Sequence, residues 1–208
     1  MPTITVSLIH ASMSRGADTY INSGAATTNY ASTEPAKVGV DTSNFAGILI
    51  WDSLFDAGLP ANVLVTAATL TLTIATAALG ADDMGVHLID TPSTVVNNQV
   101  TWNIRATGTN WGTAGGDVLT SPASVDFSMP TSTGAFQITG LAPLVNYARR
   151  SESGTFGIIL RHSAASRFFT FETQDGVGTA ASLSITYLDP DPLPVRVIPN
   201  RPAWKRNG

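Results

Sequence analysis

Thr69-Leu70-Thr71-Leu72-Thr73-Ile74 alternates a β-branched polar residue with an aliphatic one at every step. A period of two places Leu70, Leu72 and Ile74 on one face of an extended chain and the three threonines on the other, the pattern of a half-buried strand. Ser182-Leu183-Ser184-Ile185-Thr186-Tyr187 repeats it near the other end of the sequence. Further strand candidates lie at 3–9, 37–40, 47–55, 84–90, 134–138, 155–161 and 167–172, separated by clusters of Gly, Asn, Ser and Pro. Many short strands between turn signals predict an all-β sandwich and exclude a βαβ alternation.

One segment follows the helical period instead. Leu141, Leu144, Val145 and Ala148 share a stripe, with Thr139 as the expected N-cap and Pro143 admissible in the first turn. A helix of about two turns must bury that stripe, which predicts a lid over one open end of the sandwich.

The alternation stops after Tyr187. Asp189-Pro190-Asp191-Pro192-Leu193-Pro194, with Pro199 and Pro202, reads as an extended arm. The chain therefore divides into a sandwich over 1–188 and an arm over 189–208. Leu193, Val195, Val197, Ile198 and Trp204 are its apolar contact candidates, and Arg196, Arg201, Lys205 and Arg206 its basic ones. Such an arm is expected to bind a groove or sheet edge of a partner chain, the alternative being to pack back on its own domain.

Hydrophobic residues form 43% of the 208, but charged residues only 12%, about half the usual share. A polar, nearly uncharged surface suits a protein covered by neighbours or one working outside the cell. Up to Leu188 there are seven basic and thirteen acidic residues, whereas the arm carries four basic against two acidic. The acidic body argues against nucleic acid as a partner. No apolar run approaches the roughly 18 residues of a membrane span, and the opening Met1-Pro2-Thr3-Ile4-Thr5-Val6 lacks the basic region of a signal peptide. Cysteine is absent, which removes disulfides, thiolate metal sites and cysteine nucleophiles.

Catalytic constellations are not legible. His10, His87 and His162 fall in unrelated segments without metal-ligand spacing and read as surface or sheet-edge residues. Of the neighbouring carboxylates, Asp82 and Asp83 read as turn residues and Asp52, near Asp56, as a bend cap after its strand. No nucleophile elbow or phosphate loop is present. Aromatic rings that could stack on sugars are Tyr20, Tyr30, Trp102 and Trp111, with Tyr30 the most exposed by expectation; Trp51 and Trp102 fall within strand patterns and are expected in the core.

Four segments occur in a familiar order. They are Asp18-Thr19-Tyr20-Ile21 running to Asn29-Tyr30-Ala31 and Val38-Gly39; Ile48-Leu49-Ile50-Trp51-Asp52 with Leu59-Pro60 and Ala67-Ala68-Thr69-Leu70-Thr71-Leu72; Val100-Thr101-Trp102-Asn103 with Gly115-Gly116-Asp117; and Phe136-Gln137-Ile138 with Gly157-Ile158-Ile159-Leu160, Phe171-Glu172 and Leu183-Ser184-Ile185-Thr186-Tyr187. Together the set resembles the DNRLRE-type domains, with Ile50 standing where that family carries arginine. The resemblance implies a jelly-roll β-sandwich related to carbohydrate-binding modules, and no catalysis. At positions that match the family, Asp18, Asn22, Asp117 and Glu172 are candidate ligands for a structural calcium; no other cofactor or metal is implied.

Two functions follow as expectations. The first is a non-catalytic structural protein of a larger assembly, a bacteriophage virion component such as a capsid decoration or fibre-base protein, self-associating and docked on capsid or fibre chains partly through its arm. The second is a carbohydrate-binding module or adhesin that recognises a polysaccharide through Tyr20, Tyr30 and Trp111. Both place the protein in a virion or outside the cell.

Overall fold

In the computed structural model, residues 2–9, 17–56, 58–150, 154–162, 167–174 and 179–189 are described. The arm beyond Asp189 and His10 lie outside the described residues. Among the described residues thirteen strands and one α-helix follow in chain order: β1 (Thr3–Ile9), β2 (Ala17–Asn22), β3 (Ala36–Val40), β4 (Asn44–Trp51), β5 (Val65–Thr76), β6 (Asp83–Leu88), β7 (Ile104–Ala106), β8 (Thr109–Asn110), β9 (Val125–Ser128), β10 (Gly134–Ile138), α1 (Ala142–Ala148), β11 (Phe156–His162), β12 (Phe168–Phe171) and β13 (Ser182–Leu188). Among the described residues, no helix is long and apolar enough to cross a membrane.

Eleven strands share one antiparallel sheet in the order β1-β13-β5-β12-β3-β4-β11-β6-β9, with β10 beside β5 and β2 beside β4. The sheet curls on itself. The corner is made by β3, which pairs with β12 through Ala36 to Gly39 and with β4 through Gly39 and Val40, so the hydrogen-bond ladder passes from one wall to the other unbroken. The alternation read at 69–74 is the middle of β5. This strand holds β13 along Val65 to Thr71, then β12 at Ile74 and Thr76, and β10 along Leu70 to Ile74.

The concave side encloses the main core. Leu70, Leu72 and Ile74 of β5 and Leu183, Ile185 and Tyr187 of β13 meet Leu49 and Trp51 of β4 and Phe156, Ile158 and Leu160 of β11. Full burial of each large apolar side chain stabilises the fold by roughly 1.5–3 kcal/mol before entropy is counted. Helix α1 adds Leu144, Val145 and Ala148 to this core and packs along β5. Its N-cap is Leu141, whose amide donates to Ala68 O at 3.1 Å, rather than Thr139. Asn146 extends the sheet without being a strand: its Nδ2 donates to Val65 O at 2.8 Å and its Oδ1 accepts from Val65 N at 3.2 Å.

From Phe45 to Trp51, β4 is buried on both faces. On its convex side Ile21, Ala46, Ile48, Ile50 and Ile159 form a second core with Ile89, Val100 and Trp111, supplied by the irregular stretch 89–118. That stretch is fastened by Asn29, whose Nδ2 donates to Asn97 O at 2.8 Å and Val100 O at 2.7 Å.

Candidate interaction site

Each free sheet edge carries a row of unpaired backbone donors and acceptors, and β proteins blunt such rows with charge, short strands or cover. β9, at one end of the sheet, is four residues long and carries the exposed Asp126. β1, at the other end, is seven residues long, and Thr3-Ile4-Thr5-Val6-Ser7-Leu8-Ile9 contains no charge, glycine or proline. One side of β1 is fully paired, Thr3 with Leu188 through Ile9 with Ser182. No strand takes the other side among the described residues. Leu8 and Val6 turn toward the main core, Thr3, Thr5 and Ser7 are exposed, and Ile4 is 37% exposed. The result, among the described residues, is a neutral, β-branched edge with one side of its ladder unpaired.

A second polar surface lies on the convex side at the end of β11. Arg161 separates two clefts there. One, of about 280 Å³, is lined by Asn44, Phe45, Ala46, Trp102, Gly115 and His162 with Arg161. The other, of about 390 Å³, is lined by Asp83, His87, Ser124, Asp126 and His162 with Arg161. Arg161 is held by the protein, its Nη2 donating to Gly115 O at 2.5 Å and to Gly116 O. Burial lowers its pKa and nearby Asp117 opposes the change. Burial, then the Arg161 charge, also lowers the His87 pKa from its usual 6.5, with Asp126 acting the other way. The half-buried Trp102 lies against Gly115, where φ is +89° and an added Cβ would come within 2.8 Å of the indole. The Gly115-Gly116 turn is thus needed both for its left-handed backbone and for the close approach of Trp102.

The predicted sugar platforms sit elsewhere. Tyr20 is buried and stacks on half-buried Tyr30, with ring centroids 4.3 Å apart. Burial and the neighbouring Tyr30 raise the Tyr20 pKa above 10. Tyr30 accepts from Asn22 Nδ2 at 3.3 Å and packs on the main core, so it is less open than expected. Trp111 is only 5% exposed and its Nε1 donates to Thr101 O at 3.0 Å, which makes it a packing residue of the second core. Trp102, expected in the core, packs half-buried against the second core and also borders a cleft.

The calcium candidates are engaged separately. Asp18 is buried and accepts from Gln174 N at 2.5 Å. Asn22 Oδ1 accepts from Gly24 N at 2.9 Å and from Ser43 Oγ at 2.6 Å. Asp117 accepts from Gly112 N at 2.7 Å and Thr113 N at 2.6 Å, closing the 112–117 turn, while the backbone amide of Glu172 donates to Thr73 O. Among the described residues no three His, Asp or Glu side chains gather as a metal site. Of the histidines, His162 is buried with its Nε2 3.8 Å from Asp82 Oδ2, which also lies 3.4 Å from Arg167 Nη1. This arrangement braces the start of β6 against the end of β11. The partner-binding candidates Leu193, Val195, Arg196, Val197, Ile198, Arg201, Trp204, Lys205 and Arg206 lie outside the described residues. Sequence reasoning missed the open edge because β1 alternates like any other strand, and it missed Arg161 because a lone arginine in a strand carries no spacing signal.

Comparison with protein-family models and with curated proteins finds no match for this chain.

Proposed function

We propose that this chain is a non-catalytic structural protein of a larger assembly, a virion component of the capsid-decoration or fibre-base kind, built on a jelly-roll sandwich and working in a virion or outside the cell. The observation that carries the reading is the open β1 edge. Seven uncharged residues whose outer ladder is unpaired among the described residues invite strand addition by another chain, a mode in which backbone hydrogen bonds supply affinity and alternate side chains supply specificity. The low charge and the ordered resemblance to DNRLRE-type domains support a covered, non-enzymatic role. The basic distal arm, with Arg201, Trp204, Lys205 and Arg206, is the second contact in this reading.

Lysine at Thr5 and Ser7 tests it. Both residues are exposed, so the sheet is expected to keep its stability to within about 1 kcal/mol. Light scattering after size exclusion is expected to show an oligomer for the native chain and a monomer for T5K/S7K. Identical masses for the two would remove the edge as the assembly surface.

One observation favours a second reading, a polysaccharide-binding role. The cleft between Trp102 and Arg161 combines a half-buried indole with hydrogen-bonding groups from Asn44 and the Gly115 turn. In that reading Trp102→Ala abolishes retention on a polysaccharide panel that Tyr20→Phe leaves intact, as measured by affinity electrophoresis.

A further inference from the structure

Strand β1 is paired along one side only among the described residues, and the hydrogen bonds of that side fix which of its backbone groups face the other. Asp189 N donates to Pro2 O at 3.0 Å, which makes Pro2 and Asp189 a hydrogen-bonded pair of the antiparallel ladder. Such pairs alternate along two antiparallel strands with pairs that exchange no bond. In the register that sets Thr3 against Leu188 and Ile9 against Ser182, Ile4, Val6 and Leu8 therefore bond β13, and the amides and carbonyls of Thr3, Thr5, Ser7 and Ile9 point outward. Two contacts agree. Thr5 and Thr186, a pair without backbone bonds, bring their hydroxyls within 2.9 Å, and Leu188 turns its amide away from Thr3 to Leu64 O. Pro2 costs the outer ladder nothing, since its missing donor belongs to the inward set.

The outward row is complementary to itself. Turned about a two-fold axis at Val6, the strand sets Thr3 against the partner's Ile9, Ile4 against the partner's Leu8, Thr5 against the partner's Ser7 and Val6 against its own copy. Every hydrogen-bonded pair of this register joins two outward residues, for about eight backbone bonds at two per pair. A register centred on Thr5 or on Ser7 keeps that parity but leaves two residues of the strand unmatched. The faces agree as well. Leu8 and half-buried Val6 lie on the side of the main core, and alternation places Ile4, 37% exposed, on that side with them. Their contacts fall in the pairs without backbone bonds, where side chains stand closest, so the partner's Leu8 covers the exposed isoleucine. A two-fold axis also sets a strand against its own sequence reversed, so charges near the centre meet like charges. β1 has none. Of the other strands of the large sheet with one partner among the described residues, β2 and β9 carry Asp18 and Asp126, and β10 has only five residues, beginning at Gly134.

We infer that β1 pairs antiparallel with β1 of a second copy of this chain about a two-fold axis at Val6, joining the two large sheets into one. The inference rests on the edge reading proposed above and names the partner that the edge takes.

Charge placement in the full chain tests the register. Because Thr5 faces the partner's Ser7, T5K/S7K sets lysine against lysine, whereas Thr5→Lys with Ser7→Glu sets lysine against glutamate. Light scattering after size exclusion is expected to give dimer mass for the native chain, monomer mass for T5K/S7K and dimer mass again for T5K/S7E. A native oligomer that T5K/S7K dissolves and T5K/S7E does not restore would overturn the two-fold pairing while keeping the edge as an assembly surface; a monomeric native chain would overturn both. The absence of native cysteine permits a second measurement. Val6→Cys stands on the axis, in a pair whose Cα separation of about 4.5 Å a disulfide can bridge. Under mild oxidation it is expected to cross-link at dimer mass about tenfold faster than Thr5→Cys or Ser7→Cys, although random collision favours those two exposed positions. Faster cross-linking at either of them would equally refute the proposal.

Discussion

Both faces of the β4-β11 wall are dry, for different reasons. The concave face meets a second wall of strands, so its residues come from regular elements with matching alternation, as Leu49 and Ile158 do against Leu70 and Leu183. The convex face is covered by the irregular stretch 89–118, held at a few points by Asn29, Trp111 and Asp117. A sheet can thus be closed on one side by periodicity and on the other by individual fastenings. The first kind of closure is cooperative with the whole fold, and the second is a patch that can open alone.

The largest effect expected from this contrast is on the concave side. Phe156→Ala leaves a cavity at a wholly buried site and is expected to cost about 3–5 kcal/mol, read as a lower urea midpoint with a single transition. Trp111→Ala is expected to cost about 3 kcal/mol, at the low end of the same range, with hydrogen exchange rising over 95–118 and little change in β5 or β13. Uniform loss of protection throughout the sheet after Trp111→Ala would break the distinction between the two cores.

The smallest effect concerns pH. The folded-state pKa of His87 lies below its unfolded value, so the unfolded chain takes up the proton first as pH falls below 6.5. The stability present above that pH is lost progressively toward the folded pKa. His87→Gln is expected to flatten this dependence, seen as a smaller fall in melting temperature between pH 7.5 and 5.5 than in the native chain. An equal fall in both would place the pH sensitivity elsewhere.

The sequence is legible where the concave core is. Strands at 3–9 and 134–138 take the bounds expected from alternation, and those around Leu49, Val86, Ile158 and Phe169 differ by a few residues at their ends. β4 begins at Asn44 and stops at Trp51, because Leu54 N bonds Gly154 O and Leu59 N bonds Leu54 O in a turn that the apolar run 47–55 conceals. β2 and β9 are harder to see: Asp18 sits within β2 because its carboxylate holds the Gln174 amide, and β9 mixes Asp126 with Phe127 at the sheet's far edge. The sites are less legible than the fold. The strand-like run around Trp102 points it to the core, and only the indole bond of Trp111 to Thr101 and the approach of Gly115 to Trp102 show which ring is buried and which stands beside a cleft.

The pairing of β1 with β13 also governs timing. Thr5 and Thr186 share a hydroxyl hydrogen bond of 2.9 Å across 181 residues of chain. During synthesis at about 5–20 residues per second, β1 leaves the ribosome roughly 10–35 s before the strand that completes its inner edge. Throughout that interval β1 lacks the strand it pairs with, so the β1-β13 ladder is among the last that the fold can complete.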